Sequence, residues 1–236
     1  MRTFTKSALA LASAGIVVAS LAGCAEPSPA APASAGGNAV TQSAAPKSSA
    51  PAPVPTPLAQ GTLSGVHTQV TLDPGFLKAL TSLKLTPGVV GTAKLSKAGV
   101  LTFPITGGNI KYYDPTQAYR PYVQGEVDHE GSGISLTAGS KKVELKNFVI
   151  DPGTHSHLSG DVTLNGTSVV KDAPLFTLDG STLKPLTKDS KGDAVLEGTR
   201  VLVSPQAAAL LNSTFGTTAV TDTLLVGVAK ITAKVG

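Results

Sequence analysis

Gly133-Ile134-Ser135-Leu136-Thr137, then Ala138-Gly139-Ser140, then Lys141-Lys142-Val143-Glu144-Leu145: an alternating run, a turn of small residues, and a second alternating run. Apolar residues at every second position put one face of an extended chain against a core. Phe148 continues the second run. The pattern recurs downstream, where Val162-Thr163-Leu164 meets Asn165-Gly166 and returns through Thr167-Ser168-Val169. Asn-Gly between alternating runs marks a hairpin, because both central residues of a type I′ turn need positive φ. Asp151-Pro152-Gly153 reads as a turn, and Thr106-Gly107-Gly108-Asn109 as the turn of a further pair. Short strands at this spacing predict a mainly-β fold, an antiparallel sandwich or barrel.

Flanking the hairpins is a duplicated unit. Val70-Thr71-Leu72-Asp73-Pro74 opens a stretch ending in Val90-Gly91-Thr92-Ala93-Lys94-Leu95. Val201-Leu202-Val203-Ser204-Pro205 opens another ending in Val226-Gly227-Val228-Ala229-Lys230-Ile231. Both read as strand, cap, helix, strand. Asp73 and Ser204 suit the N-cap, and each precedes a proline at the first helical position. Leu77, Leu80 and Lys84 share one helical face, as do Leu210, Leu211 and Phe215. Thr86-Pro87-Gly88 and Gly216 are the expected stops. The two units, and hence two short helices, are expected to pack side by side and close one sheet.

Three segments follow from composition. Residues 61–236 form the β-rich domain, long enough for a single core. The chain's formal charge of +4 over 236 residues includes Arg2, Lys6 and Lys47, all outside that domain. No basic stripe with interleaved aromatics is present, so nucleic acid is not an expected partner. Residues 24–60 are rich in Ala, Pro, Ser and Gly and bury too little apolar surface to offset ordering entropy. They read as a disordered tether. Residues 1–23 place Arg2 and Lys6 before a short apolar stretch and small residues, the layout of a secretory signal. The stretch is shorter than the ~20 residues that span a bilayer comfortably.

Leu21-Ala22-Gly23-Cys24 at the end of that stretch resembles the lipobox of bacterial lipoproteins. The resemblance implies that Cys24, the single cysteine, carries lipid (palmitate among its acyl chains) and anchors the domain to the outer face of the cell membrane. A domain so placed has no thiol left for a disulfide or a thiolate metal site.

All four tyrosines, Tyr112, Tyr113, Tyr119 and Tyr122, fall in a proline-interrupted segment that also holds Arg120. Tyrosine offers a flat apolar face and a polar tip, which suits either a ligand surface or the cover of a sheet edge. His129 stands between Asp128 and Glu130. His155 and His157 would share a face if both lay in one strand, a geometry open to a metal ion. No Gly-x-Ser-x-Gly, His-Glu-x-x-His or phosphate-loop motif is present.

Gly125-Glu126-Val127-Asp128-His129-Glu130-Gly131-Ser132-Gly133-Ile134-Ser135-Leu136, with Val143 to Phe148 downstream, resembles the haem-transport-associated (HtaA-like) domain of Gram-positive surface proteins. That family is β-rich and takes up haem using tyrosine and histidine. The resemblance implies roles for His129 and for a tyrosine among Tyr112 and Tyr113. The family's serine-phenylalanine-arginine-tyrosine start has no counterpart here. The sequence thus points first to a membrane-anchored surface lipoprotein whose domain binds without catalysis, with a cell-wall component or small molecule as partner. Haem or another small ligand is the alternative, and a hydrolase the third reading.

Overall fold

The structure, a computed structural model, describes residues 53–236. Cys24, the signal segment and most of the tether lie outside the described residues. In chain order the elements are β1 (Ala59–Leu72), α1 (Pro74–Ser82), β2 (Thr86–Gly91), β3 (Lys94–Leu95), β4 (Val100–Pro104), β5 (Gly107–Tyr112), β6 (Val123–Ala138), β7 (Lys141–Asp151), β8 (His157–Leu164), β9 (Thr167–Asp179), β10 (Thr187–Lys188), β11 (Ala194–Val203), α2 (Pro205–Phe215) and β12 (Leu225–Val235). The fold is mainly β, as the alternation predicts.

Every strand pairing is antiparallel, and the ladder closes on itself: β1–β5–β6–β7–β8–β9–β11–β12 and back to β1. A closed circuit leaves no edge among those strands, so of the two expected architectures the molecule adopts the barrel. The closing seam joins the two copies of the repeat, with β1 pairing β12 from Leu63↔Val235 to Leu72↔Gly227. The copies then diverge. In the second, β11 and β12 pair directly. In the first, β2 leaves β1 and pairs with the far half of β6, Thr86↔Thr137 to Gly91↔Ser132.

Three local expectations need correction. Residues 107–109 are strand rather than turn. Gly108 (φ 115°) lies so close to β6 that a Cβ would overlap the Glu126 carbonyl oxygen, so the glycine serves close approach. Helix α1 ends at Leu83, with Lys84 left-handed (φ 55°), and Thr86-Pro87-Gly88 already belongs to β2. The buried face of α1 is Phe76 and Leu80, while Leu77 is exposed. The caps form as expected, with Asp73 accepting from the Gly75 and Phe76 amides, Ser204 from the Ala207 amide, and Gly216 closing α2 left-handed.

A line of irregular residues bends the wall. The β6–β7 register shifts between His129 and Gly133, and the β7–β8 register between Lys146 and Val149. Asn147 (φ 55°) and Asp172 (φ 48°) are left-handed. Their polar groups link up: Gly131 N–H donates to Asn147 Oδ1 (3.0 Å), Asn147 Nδ2 to Asp161 Oδ2 (2.9 Å), and Asp172 N–H to Asp161 Oδ1 (3.2 Å). The Asn147 bond, ahead of the Asp172 amide, holds the Asp161 carboxyl below its usual range. Bulges of this kind coil a sheet enough to close it.

The two helices lie at one end of the barrel, where β1 and β11 finish. Phe76 and Leu80 from α1 and Ala207, Ala208 and Leu211 from α2 join one apolar cluster with Val70, Leu101, Phe148, Leu175 and Val203. A second, smaller cluster contains Leu63, Ile105, Val127, Ile150 and Ala233. At the other end the strands meet three connections, residues 113–122, 152–156 and 180–193, the last carrying the short strand β10.

Candidate functional site

Alternation sends one face of each strand into the barrel, and the inward side chains do not fill it. A cavity of about 500 Å³ remains, walled by residues of both apolar clusters. Deep inside stand three phenylalanines in edge-to-face contact: Phe103 on Phe148 (5.4 Å between centroids) and Phe148 on Phe176 (6.3 Å). His129 completes the layer, 6.3 Å from Phe103. Aliphatic walls rise from Val127, Ile150, Leu158, Leu178, Ala229 and Ile231. The 113–122, 152–156 and 180–193 connections contribute Arg120, Tyr122, Thr154, Ser156 and Ser181, so the cavity reaches the loop end.

His129 is 1 % exposed. Its Nε2 lies 2.8 Å from Thr68 Oγ1 on β1, and its Nδ1 makes no hydrogen bond. Burial lowers its pKa from 6.5 to about 4, an effect only partly offset by the nearby main chain of Phe148 and Val127. The imidazole is therefore neutral at physiological pH. Ser132, fully buried, donates to the His129 carbonyl (3.0 Å) and ties down the bulge that follows it.

The tyrosines separate into two pairs. Tyr112 and Tyr122 line the cavity and meet edge to face at 6.0 Å. Tyr112 Oη accepts the Leu186 amide (3.3 Å), fastening the 180–193 connection to the barrel rim. Burial raises the Tyr122 pKa, helped by Tyr112 and opposed by the Arg120 guanidinium, which sits 5.3 Å from its ring centre. Tyr113 and Tyr119 instead pack on each other at 4.7 Å, outside the cavity wall. Arg120 donates to the carbonyls of Gln117, Tyr119 and Pro115, holding its loop in shape.

Tyr112 and His129 do not converge. Tyr112 pairs with Val123, six residues before His129 on β6. That is about 20 Å along the strand, and the two side chains stand at opposite depths of one cavity. His155 is in a turn and only His157 is in β8, so strand alternation does not align them. Among the described residues no group of three or more His, Cys, Asp or Glu is placed to hold a metal ion.

Sequence reasoning missed Thr68, Phe103 and Phe176. Thr68 lies 61 residues from its histidine partner, and no local pattern announces that meeting. The phenylalanines sit in apolar runs, where alternation marks them as inward but not as walls of a cavity.

No family model matches the chain, and no curated protein matches it. Among solved structures, the C-terminal domain of HtaA from Corynebacterium glutamicum aligns with a TM-score of 0.51 at 15 % identity, over 75 % of this chain and 100 % of that one. The heme-binding protein HtaB from the same organism aligns with a TM-score of 0.47 at 8 % identity, over 75 % of this chain and 96 % of that one. At such identity the likeness to the HtaA domain is one of fold: a mainly-β domain, here a barrel with an apolar interior cavity.

Proposed function

We propose that this chain is a non-catalytic binding protein whose barrel takes a flat, largely apolar ligand with an anionic edge, haem or a related tetrapyrrole. The observation that carries this reading is the charge pattern of the cavity. Among the described residues, Arg120 at the loop end is the only lining residue with a formal charge at neutral pH, His129 being neutral, and the rest is aliphatic, aromatic or hydroxylic. A volume of about 500 Å³ is in the range of small-ligand sites, ~300–1,000 Å³. Edge-to-face phenylalanines and Tyr122 offer surfaces for a planar ring, and Arg120 offers a partner for carboxylates. The Gly125–Leu136 resemblance to the HtaA-like domain and the fold shared with the HtaA C-terminal domain support the same choice. The walls fit the body of a porphyrin. They do not fit a paired tyrosine–histidine ligand set, because Tyr112 and His129 stand at different depths.

Titration of haemin into the full chain tests the proposal. A saturable one-to-one change in the Soret band is expected. Arg120→Glu, a change at an exposed residue, should weaken binding about tenfold or more, and Val127→Trp should abolish it by filling the cavity. A titration without saturation, or one indifferent to both substitutions, would contradict the reading.

The cellular setting belongs to the same proposal. The lipobox-like run at Cys24 and the Ala/Pro/Ser tract after it support a domain held at the outer face of a membrane on a long tether. Extended as polyproline, the tract would reach on the order of 100 Å. Globomycin should block maturation, and normal processing in its presence would remove the anchor.

A further inference from the structure

The cavity holds few groups able to ligate a metal, and two of them, His129 Nε2 and Tyr112 Oη, already hold a hydrogen bond. Resting on the tetrapyrrole reading above, we infer that the site grips the ring and its carboxylates and leaves the central metal unligated, so that it accepts a metal-free porphyrin as readily as haem.

The inference comes from an inventory of donors. Haem iron is held in proteins by histidine, tyrosinate, methionine or thiolate. Among the described residues the cavity wall contains no methionine and no cysteine. Its strong donors are His129, Tyr112 and Tyr122, and Thr68, Thr154, Ser156, Ser181 and Thr199 add only neutral hydroxyls. His129 Nε2 is closed off by the Thr68 hydroxyl at 2.8 Å, a bond reaching across from β1. Its other nitrogen, Nδ1, has no hydrogen-bond partner among the described residues and is buried near the main chain of Val127 on β6 and Phe148 on β7. Tyr112 Oη accepts the Leu186 amide at the rim (3.3 Å), which turns one of its lone pairs toward the 180–193 connection. Tyr122 lies under the Arg120 guanidinium and against the Tyr112 ring. Burial holds the Tyr122 phenol in its protonated form against the opposing pull of the Arg120 guanidinium. Apolar surface and one cation remain, and these recognise a ring and its acid groups whatever lies at the centre.

The Thr68–His129 bond gives the idea a handle. Thr68→Val is nearly isosteric, removes the hydroxyl and frees Nε2 to face the cavity. That variant should begin to prefer the metallated ring.

The test is a pair of titrations of the full chain, one with haemin and one with protoporphyrin IX lacking metal. Dissociation constants within about threefold of each other are expected, with the bound-haemin spectrum unchanged in Tyr112→Phe and His129→Gln. Thr68→Val should shift the ratio toward haemin about tenfold. Haemin binding about thirtyfold or more tighter than protoporphyrin in the unmodified chain would overturn the inference while leaving the tetrapyrrole reading intact. So would a ligand-field band lost in Tyr112→Phe or His129→Gln, or an unchanged ratio in Thr68→Val. Failure of both titrations to saturate would overturn the tetrapyrrole reading itself, and this inference with it.

Discussion

His129 shows what one buried residue commits the molecule to. It is folded in as the neutral imidazole, with a pKa near 4 against 6.5 for an ordinary histidine. Between those values the unfolded chain binds a proton that the folded chain does not, so stability rises with pH and is lost as pH falls from about 6.5 toward 4. Glu144, Asp161, Asp179 and Glu197 also have lowered pKa values. Their stabilisation is present above the unfolded carboxylate values and fades only below about pH 4.5. The interval from about pH 6.5 to 5 therefore isolates the histidine. Urea unfolding should show a loss on the order of 2 kcal/mol across it. His129→Gln should remove most of that slope, and an equal loss in the variant would show that another group carries it. Little of this was legible beforehand. The Gly125–Leu136 resemblance singles out His129, but Thr68 is remote in sequence and joins it only because β1 and β6 enclose the same space.

At the scale of elements, the two helix caps look equivalent in sequence and differ in surroundings. Asp73 is half-buried, its side chain accepting the Gly75 and Phe76 amides at 2.7 and 3.3 Å and, among the described residues, no further partner. Ser204 is 3 % exposed, accepts the Ala207 amide at 3.0 Å and donates to the Pro174 carbonyl on β9. Removing a cap that serves only the helix end costs about 1 kcal/mol. Removing one that also satisfies a buried carbonyl should cost about 2 kcal/mol. Urea midpoints at constant slope should rank Ser204→Ala below Asp73→Ala, and the reverse order would deny Ser204 its second role. The hairpins at Gly139-Ser140 and Asn165-Gly166, both caps and the repeat were readable, because turn chemistry and periodicity are local. The divergence of the two copies was not. Val90-Gly91 and Val226-Gly227 look alike, yet one strand pairs with β6 and the other with β11. Partner choice is set by where the rest of the chain leaves an open edge. Gly107-Gly108 misread as a turn for the same reason, since Gly108 answers to the Glu126 carbonyl on the neighbouring strand β6.

Taken whole, the described domain is a barrel covered at the helix end and bordered at the other by three connections, with an apolar space between. Alternating runs announce inward faces, but whether those faces meet or leave room depends on barrel size and side-chain volume summed over eight strands, which no single segment encodes. The tyrosine-rich segment was visible as a place of interest, while its division into a cavity pair and an outer pair depended on the loop's path over the rim. The central claim, that the interior is the binding site, is tested most directly by mapping. Protoporphyrin IX added to isotope-labelled protein should perturb the amides and methyls of Val127, Ile150, Val226 and Ile231 inside the barrel, and leave exposed Val169 and Val170 on β9 unchanged. Perturbations confined to outer faces, with the interior signals unmoved at saturation, would contradict it.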